Sequence, residues 1–307
     1  MSTEEVKCDT QKCCPIDFSK PLAEPHLISN QEDYLKPRES NWIMEKCREF
    51  FKAKGFIEVF CQNRATILAS CEQPVAICDF NLKNTKFALQ QTNQMILEDM
   101  LLKDPSLPGL FTFTASYRDE KNPIPERHNH AFLMCEFEFK GDHEDLKALL
   151  LDAVKFFGFK EEPSIGKYAD LCEKLGVKEI EAHEEGLLAK ENSVYLITDF
   201  TEETSPFFNM KRNDDGTSQK IDVILDGWEC MGTAVRSCDK EMMRKTFSTI
   251  TDGKYAKELY KRFGKDRVDA ELENFLAHDF FGRAGGAFGI NRCVKKLQKF
   301  GLMPKFD

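Results

Sequence analysis

The chain has 307 residues, of which 41% are hydrophobic, and this is enough for one large domain with a substantial core. A net charge of −9 makes the average surface repel a polyphosphate, so non-specific nucleic-acid binding would depend on basic patches. No apolar run reaches the length of a membrane span, no signal-peptide core is found, and the 12 cysteines are scattered as in a reducing compartment. We therefore predict a cytoplasmic protein that does not bind membranes.

Residues 1–33 are polar and contain three prolines but no alternating strands. This composition predicts an extended N-terminal arm before a domain at residues 34–307. Cys8, Cys13 and Cys14 cluster in the arm. Because no CxxC spacing occurs, the cluster is interpreted as part of an ordinary tail rather than as a structural zinc site.

A long helix is predicted to begin near residue 38 and to end at Gly55. A strand is predicted at Phe56–Phe60. One face of the helix carries the apolar residues Trp42, Ile43, Cys47, Phe50 and Phe51.

Two strands are predicted around a polar loop, because residues 111–117 and 133–139 alternate apolar and polar side chains. Arg118 follows the first strand, and Phe132 precedes the second. Near the C-terminus, the small residues from Gly285 to Gly289 lead to Arg292 and a helical run. Together these segments would supply an aromatic ring for adenine and two guanidiniums for phosphate oxygens. This pattern predicts a nucleotide site without a P-loop lysine.

The two segments resemble motifs 2 and 3 of the class II aminoacyl-tRNA synthetases, in particular of the asparaginyl and aspartyl branch. The resemblance extends from about Tyr34 onward, and it implies an α+β fold with a mostly antiparallel sheet flanked by helices. It implies ATP as a substrate, with Arg118 and Arg292 as catalytic residues. The ATP-binding residues that it implies are Arg118, Glu120, Arg127, His128, Phe132, Asp222, Glu229, Gly289 and Arg292.

Asp222 and Glu229 are similar to the paired acids that hold Mg²⁺ on ATP in this family. Two carboxylates on adjacent strands can take a hard cation that bridges phosphate oxygens, which supports the same assignment on chemical grounds. Arg236 follows in the position of the substrate-reading arginine.

The amino-acid pocket is indicated by the segment from Leu89 to Glu98, which resembles the Gln-Ser-x-Gln-aliphatic-aromatic-x-Glu stretch of asparaginyl enzymes. Aspartyl enzymes carry a lysine where this chain has Leu97. A glutamate would repel a side-chain carboxylate, so Glu98 is expected to accept N–H donors, whereas Arg236 donates to an oxygen. The substrate-binding residues implied by the resemblance are Glu72, Gln94, Glu98 and Arg236, with Glu72 on the α-ammonium.

The chain also departs from the family pattern. Gln62 stands at or near the place of the proline that follows the motif 1 strand, and Ala131 replaces a glutamate before the motif 2 aromatic. Motif 1 implies a homodimer. The anticodon-binding OB domain of this branch, about a hundred residues long, has no room before the predicted core.

The implied chemistry is attack of a carboxylate on the α-phosphate of ATP, which gives an acyl-adenylate and pyrophosphate. Catalysis would come from orientation and charge stabilisation, without a protein nucleophile. The acyl acceptor stays open. One hypothesis is aspartate plus ammonia, as in archaeal-type asparagine synthetase; a second is tRNA asparaginylation by a minimal or split enzyme. A third is a non-catalytic paralogue that acts as a binding subunit. The first is favoured, because the acidic surface and the missing OB domain do not favour tRNA as a partner.

Overall fold

A computed structural model describes residues 35–62, 64–65, 67–68, 73–121 and 127–306. The N-terminal arm and the cluster of Cys8, Cys13 and Cys14 lie outside these residues, so the domain boundary at residue 34 stays a prediction. The helices are α1 (Pro37–Ala53), α2 (Gln94–Lys103), α3 (His143–Phe156), α4 (Tyr168–Leu175), α5 (Ala182–Leu188), α6 (Lys240–Thr249), α7 (Lys254–Phe263), α8 (Lys265–Leu276) and α9 (Ile290–Lys299).

Strands alternate with these helices along the chain. They are β1 (Ile57–Glu58), β2 (Arg64–Ala65), β3 (Asp79–Leu82), β4 (Thr85–Leu89), β5 (Gly109–Tyr117), β6 (Ala131–Lys140), β7 (Ser164–Lys167), β8 (Val194–Phe200), β9 (Ser218–Leu225), β10 (Trp228–Arg236) and β11 (Arg283–Gly289).

The principal sheet has eight strands in the order β1-β5-β6-β11-β10-β9-β8-β7, and β2, β4 and β3 form a small separate sheet. Only the edge strands β1 and β7 of the large sheet pair in parallel with their neighbours. The five internal pairings, from β5 to β8, are antiparallel. The mostly antiparallel α+β architecture predicted from the sequence is therefore confirmed.

Helix α1 covers the core face of the sheet with the side chains that the sequence pattern predicted. Ile43, Cys47, Phe50 and Phe51 are buried, and the Phe51 ring centroid lies 5.2 Å from that of Phe111 in β5. Burial of one such aromatic side chain stabilises the fold by about 1.5–3 kcal/mol. The helix ends before Gly55, which has a φ of +82° that a residue without a Cβ adopts at low cost.

Strand β1 is shorter than the predicted strand at residues 56–60. The ladder continues only as far as the amide of Val59, which donates to the carbonyl of Phe111 at 2.9 Å. Phe60 then leaves the sheet with 86% of its surface exposed. Further along, α3 and α4 are two of the helices that flank the sheet. Asp142 caps α3 by accepting from the amides of Glu144 and Asp145.

Alternation along the strands gives the large sheet two different faces. In β6, Cys135 and Phe137 point into the core that α1, α3 and α9 cover, whereas Met134 and Glu136 line a cavity on the other face. Helices α6, α7 and α8 form a second apolar cluster together with residues of α2 and β4. None of the described helices has the length and apolar character that crossing a membrane requires.

Candidate active site

A cavity of about 1190 Å³ lies on the open face of the large sheet. Drug-sized ligands commonly occupy about 300–1,000 Å³, so this cavity has room for a nucleotide together with a second small molecule. Its lining combines strands β6, β9, β10 and β11 with the loop between β5 and β6. The residues predicted from the sequence that line it are Gln94, Arg118, Glu120, Arg127, His128, Phe132, Asp222, Glu229, Arg236, Gly289 and Arg292.

Arg118, the first residue of the β5–β6 loop, lies next to Phe132 at the start of β6. The Arg118 guanidinium carbon is 5.3 Å from the centroid of the Phe132 ring, and the Arg118 amide donates to the carbonyl of His130 at 2.8 Å. His128 Nδ1 lies 2.8 Å from Glu120 Oε2. The loop therefore presents a cation, an aromatic face and a histidine–carboxylate pair to the same cavity.

Arg127 is held by a partner that the sequence reading missed. Its Nη2 donates to Glu185 Oε2 at 2.6 Å, and both side chains are close to 90% buried. Glu185 comes from α5, 58 residues further along the chain, and no local motif marks it. Burial raises the pKa of Glu185, against the lowering effect of the Arg127 charge. Arg127 thus lies at the cavity as one half of an ion pair.

Arg292 and its neighbour Asn291 fasten the start of α9 to two strands. Arg292 Nη1 donates to the carbonyl of Glu229 in β10 at 2.9 Å. Asn291 Oδ1 accepts from the amide of Leu133 in β6 at 3.0 Å. Segments more than 150 residues apart in sequence therefore meet, and the Arg292 guanidinium is fixed next to Glu229.

Asp222 and Glu229 lie on the adjacent strands β9 and β10, as predicted, and converge across Gly232. A Cβ at Gly232 would lie 2.8 Å from Glu229 Oε1 and 3.7 Å from Asp222 Oδ1. Asp222 Oδ1 is buried and makes no hydrogen bond to the described residues. This converging pair, with one oxygen that needs a ligand, fits a hard cation such as Mg²⁺.

The electrostatics of the two acids differ. Burial raises the pKa of Asp222 to about 7, although the ammonium of Lys220, which contacts Asp222 Oδ2, counteracts the rise. Burial acts on Glu229 in the same direction, but the charges of Lys220 and Arg292 outweigh it and lower its pKa. Among the described residues, no group of three or more His, Cys, Asp and Glu side chains could hold a metal. A cation here would therefore depend on two carboxylates plus oxygens of a ligand.

Glu98 departs from its expected place. It is fully buried and is absent from the cavity lining. Its Oε2 accepts from Arg283 Nε at 2.9 Å and Nη2 at 2.6 Å. Its Oε1 accepts from Asn209 at 2.7 Å and from Gln94 at 3.3 Å. Four protein donors therefore use both oxygens of Glu98 beneath the cavity, and its expected contact with the substrate stays a prediction.

Arg236 does line the cavity, and it belongs to a buried quartet of Glu98, Glu138, Arg236 and Arg283. Its Nε and Nη2 donate to Glu138 Oε1 at 2.9 and 2.5 Å, which leaves Nη1 for a ligand. Burial raises the pKa of Glu138 to about 8, although Arg236 lowers it and Glu98 raises it further. Burial thus favours the neutral form of Glu138, whereas the two hydrogen bonds from Arg236 favour its charged form.

Glu72, the residue expected to bind the α-ammonium, lies outside the described residues, so its role stays a prediction. Glu138 and Arg283 were missed by the sequence reading. Alternation in β6 could have indicated that Glu138 shares a face with Glu136, but Arg283 bonds to a residue 185 positions away.

Comparison with known proteins agrees with this geometry. The sequence model of the family described as "tRNA synthetases class II (D, K and N)" matches residues 29–300. The chain belongs to this family. No curated protein sequence matches the chain significantly.

Solved structures of the same family share the fold. Asparaginyl-tRNA synthetase from Pyrococcus horikoshii, complexed with asparaginyl-adenylate, has a TM-score of 0.70 and 18% identity over 85% of this chain and 64% of its own. The Entamoeba histolytica asparaginyl-tRNA synthetase, also with asparaginyl-adenylate, has a TM-score of 0.66 and 16% identity over 85% and 63%. A putative aspartyl-tRNA synthetase from Leishmania major has a TM-score of 0.67 and 14% identity over 85% and 62%. This class II chain thus spans a little under two thirds of the length of these structures, over their catalytic core.

Proposed function

We propose that this chain is an adenylate-forming ligase that activates aspartate on its β-carboxylate and passes the acyl group to ammonia, giving asparagine, AMP and pyrophosphate. Family membership supports adenylate formation. The cavity supports it too, because an aromatic ring, two arginines and two converging acids line one space.

In the first step, a β-carboxylate oxygen attacks the α-phosphorus of ATP, and the bond to pyrophosphate breaks with its electron pair leaving on pyrophosphate. Phe132 would stack on adenine, while Arg118 and Arg292 stabilise the charge on the phosphate oxygens. Asp222 and Glu229 would hold Mg²⁺, which neutralises part of the phosphate charge when it is bound. In the second step, ammonia attacks the acyl carbon and loses a proton, and AMP leaves.

The observation that carries the choice of aspartate is the state of Glu98 and Arg236. An asparagine carboxamide needs an acceptor for its NH₂ group, but both oxygens of Glu98 are already used by protein donors. Arg236 remains at the cavity and can bind a carboxylate, here the α-carboxylate of aspartate.

The second candidate is tRNA asparaginylation. It is favoured by the likeness of the fold to structures of asparaginyl-tRNA synthetases that hold asparaginyl-adenylate. A non-catalytic binding subunit is the third, and the presence of Arg118, Asp222, Glu229 and Arg292 in one cavity argues against it.

Product analysis separates these functions. The purified protein is incubated with ATP, Mg²⁺, labelled aspartate and ammonium, and separately with labelled asparagine and total tRNA. Free labelled asparagine with AMP is expected in the first reaction. Label on tRNA in the second reaction and none in free asparagine would replace the proposal by tRNA ligation, and the absence of AMP and of both products would favour the binding subunit.

The same assay tests the role of Arg292. We expect Arg292→Ala to lower kcat/KM by about 10²-fold, because a preorganised cation is lost next to the phosphates. Arg244→Ala serves as a control, since it removes the same side chain from outside the cavity lining, where Arg244 pairs with Glu273 at 2.8 Å. Equal activity of Arg292→Ala and wild type would contradict the assignment of Arg292.

The proposal has three further parts, which rest on family membership: a homodimer formed through α1 and β1, Mg²⁺ as the cation that binds with ATP, and a cytoplasmic location. The exposed side chains of Ile57 and Phe60 beside the edge strand β1 support the first of these.

A further inference from the structure

Lys220 lies inside the candidate active site, although the sequence pattern had indicated no role for it. It is two residues from Asp222 in β9, so both side chains lie on the cavity face of the strand. Its ammonium contacts Asp222 Oδ2 and lies 3.9 Å from the centroid of the Phe200 ring. A carboxylate and an aromatic face together fix the position of this charge.

The two carboxylate oxygens of Asp222 therefore have different surroundings. Lys220 takes Oδ2, whereas Oδ1 is buried and points towards the same space as Glu229 Oε1. A cation held by Asp222 Oδ1 and Glu229 would lie beside the Lys220 ammonium rather than replace it. The site would then offer a polyphosphate two adjacent positive charges: the cation, which can exchange with solvent, and the Lys220 ammonium, which belongs to strand β9.

The acidic surroundings explain why a tethered cation is useful here. Glu185, Asp222 and Glu229 bring three carboxylates to this end of the cavity, and Arg127 is already bound to Glu185 at 2.6 Å. Uncompensated carboxylates repel a triphosphate. An ammonium carries three N–H donors, so Lys220 can hold Asp222 and a phosphate oxygen at the same time.

On the basis of the proposed function, we propose that Lys220 is a nucleotide-binding residue whose ammonium, held on Asp222, contacts a phosphate oxygen of ATP and competes with the divalent cation for Asp222. This gives Lys220 two opposite effects. It strengthens the binding of ATP, and it weakens the binding of the metal alone.

Calorimetric titration without amino acid tests both effects. Wild type, Lys220→Met, Lys220→Arg and the control Lys167→Met are each titrated with Mg²⁺ alone and then with ATP in saturating Mg²⁺. Lys167 lies outside the cavity lining, 3.6 Å from Asp199, so its loss removes an equal charge from the protein surface. Circular dichroism checks the fold of each variant, and Lys220→Gln replaces Lys220→Met if that variant does not fold.

We expect Lys220→Met to bind Mg²⁺ alone several-fold more tightly and ATP about tenfold more weakly than wild type. Lys220→Arg should restore most of the ATP affinity, and Lys167→Met should match wild type. A Lys220→Met variant with wild-type ATP affinity, or with weakened affinity for Mg²⁺ alone, overturns the role of Lys220. Failure of the wild-type chain to bind ATP at all overturns the proposed function together with it.

Discussion

At the residue scale, the buried quartet of Glu98, Glu138, Arg236 and Arg283 connects the proposed binding residue Arg236 to charges that lie deeper in the fold. Glu98 and Arg283 are fully buried, and Arg283 Nε and Nη2 both donate to Glu98 Oε2, at 2.9 and 2.6 Å. The desolvation of buried ions is costly, so such a pair contributes little net stability, but the loss of one partner leaves the other uncompensated. Arg236 is held at the cavity because its Nε and Nη2 both donate to Glu138 Oε1.

We therefore predict that Arg283→Met lowers the free energy of unfolding by about 3–5 kcal/mol, since it leaves Glu98 buried without its main partner. The double variant Glu98→Gln/Arg283→Met should lose less than the sum of the two single variants. Urea denaturation of all three measures this. Strictly additive losses would show that the two side chains are not coupled.

Glu138 makes the stability depend on pH. Burial raises its pKa from 4.5 to about 8 in the folded chain, so between these values the folded state binds a proton that the unfolded state releases. The stabilisation is complete below pH 4.5 and is lost as pH rises through 8. Glu138→Gln cannot titrate. Between pH 5 and 8, its unfolding free energy should therefore fall less steeply with pH than that of the wild type, and the two slopes should differ by up to about 1.4 kcal/mol per pH unit. Urea titrations at four pH values would refute this if the two slopes were equal.

At the scale of elements, strand β11 joins the two halves of the site. It lies between β6 and β10, and its small residues let the neighbouring strands and Glu138 approach closely. A Cβ at Gly285 would lie 2.2 Å from the carbonyl oxygen of Phe137 and 2.3 Å from the Glu138 carboxyl carbon. Neither the paired backbone nor a fully buried carboxyl can move without disturbing the quartet.

Gly285→Ala is accordingly expected to lower the unfolding free energy by about 1–3 kcal/mol, the usual range for an overpacked core. Gly186→Ala is the matched control, because a Cβ there meets nothing within 4 Å and Gly186 lies within α5. That variant should be neutral or slightly stabilising. Thermal unfolding compares the two, and equal melting temperatures would contradict the crowding at Gly285.

The elements were more predictable from the sequence than the partners of their side chains. The apolar periodicity of α1 and the alternation in β5 and β6 are local signals, so both could be read directly. The ends were less certain, as β1 shows by stopping near residue 58. The contacts of Arg127 with Glu185 and of Glu98 with Arg283 join distant segments. Local sequence patterns do not indicate which buried charged residues will pair, because these pairs form only when distant segments fold together.

At the scale of the whole molecule, the two edges of the large sheet differ in what they expose. Ile57 in β1 and Phe60, two residues after the end of that strand, have 45% and 86% of their surface exposed, whereas Ile165 in β7 is 49% exposed. An exposed edge with apolar side chains favours association. The proposed homodimer would cover the β1 edge.

If so, Phe60→Asp should raise the dimer dissociation constant at least tenfold, because it places a charge in an apolar interface. Ile165→Asp puts the same charge on the opposite edge and should leave the dimer intact. Sedimentation equilibrium measures both. If Ile165→Asp dissociates the dimer and Phe60→Asp does not, the interface lies at the β7 edge instead. A monomeric wild-type chain would exclude the dimer.

The central position of β11 has a consequence for synthesis on the ribosome. Strands β5, β6, β9 and β10 leave the ribosome before residues 283–289, so until then β6 and β10 each lack the neighbour that lies between them. During this interval two unpaired strand edges are open to association with other chains. Arg283 lies on the same strand, so Glu98 also lacks its counter-charge until β11 has left the ribosome. The nascent chain would therefore depend most on protection from aggregation in the interval between the emergence of β10 and that of β11.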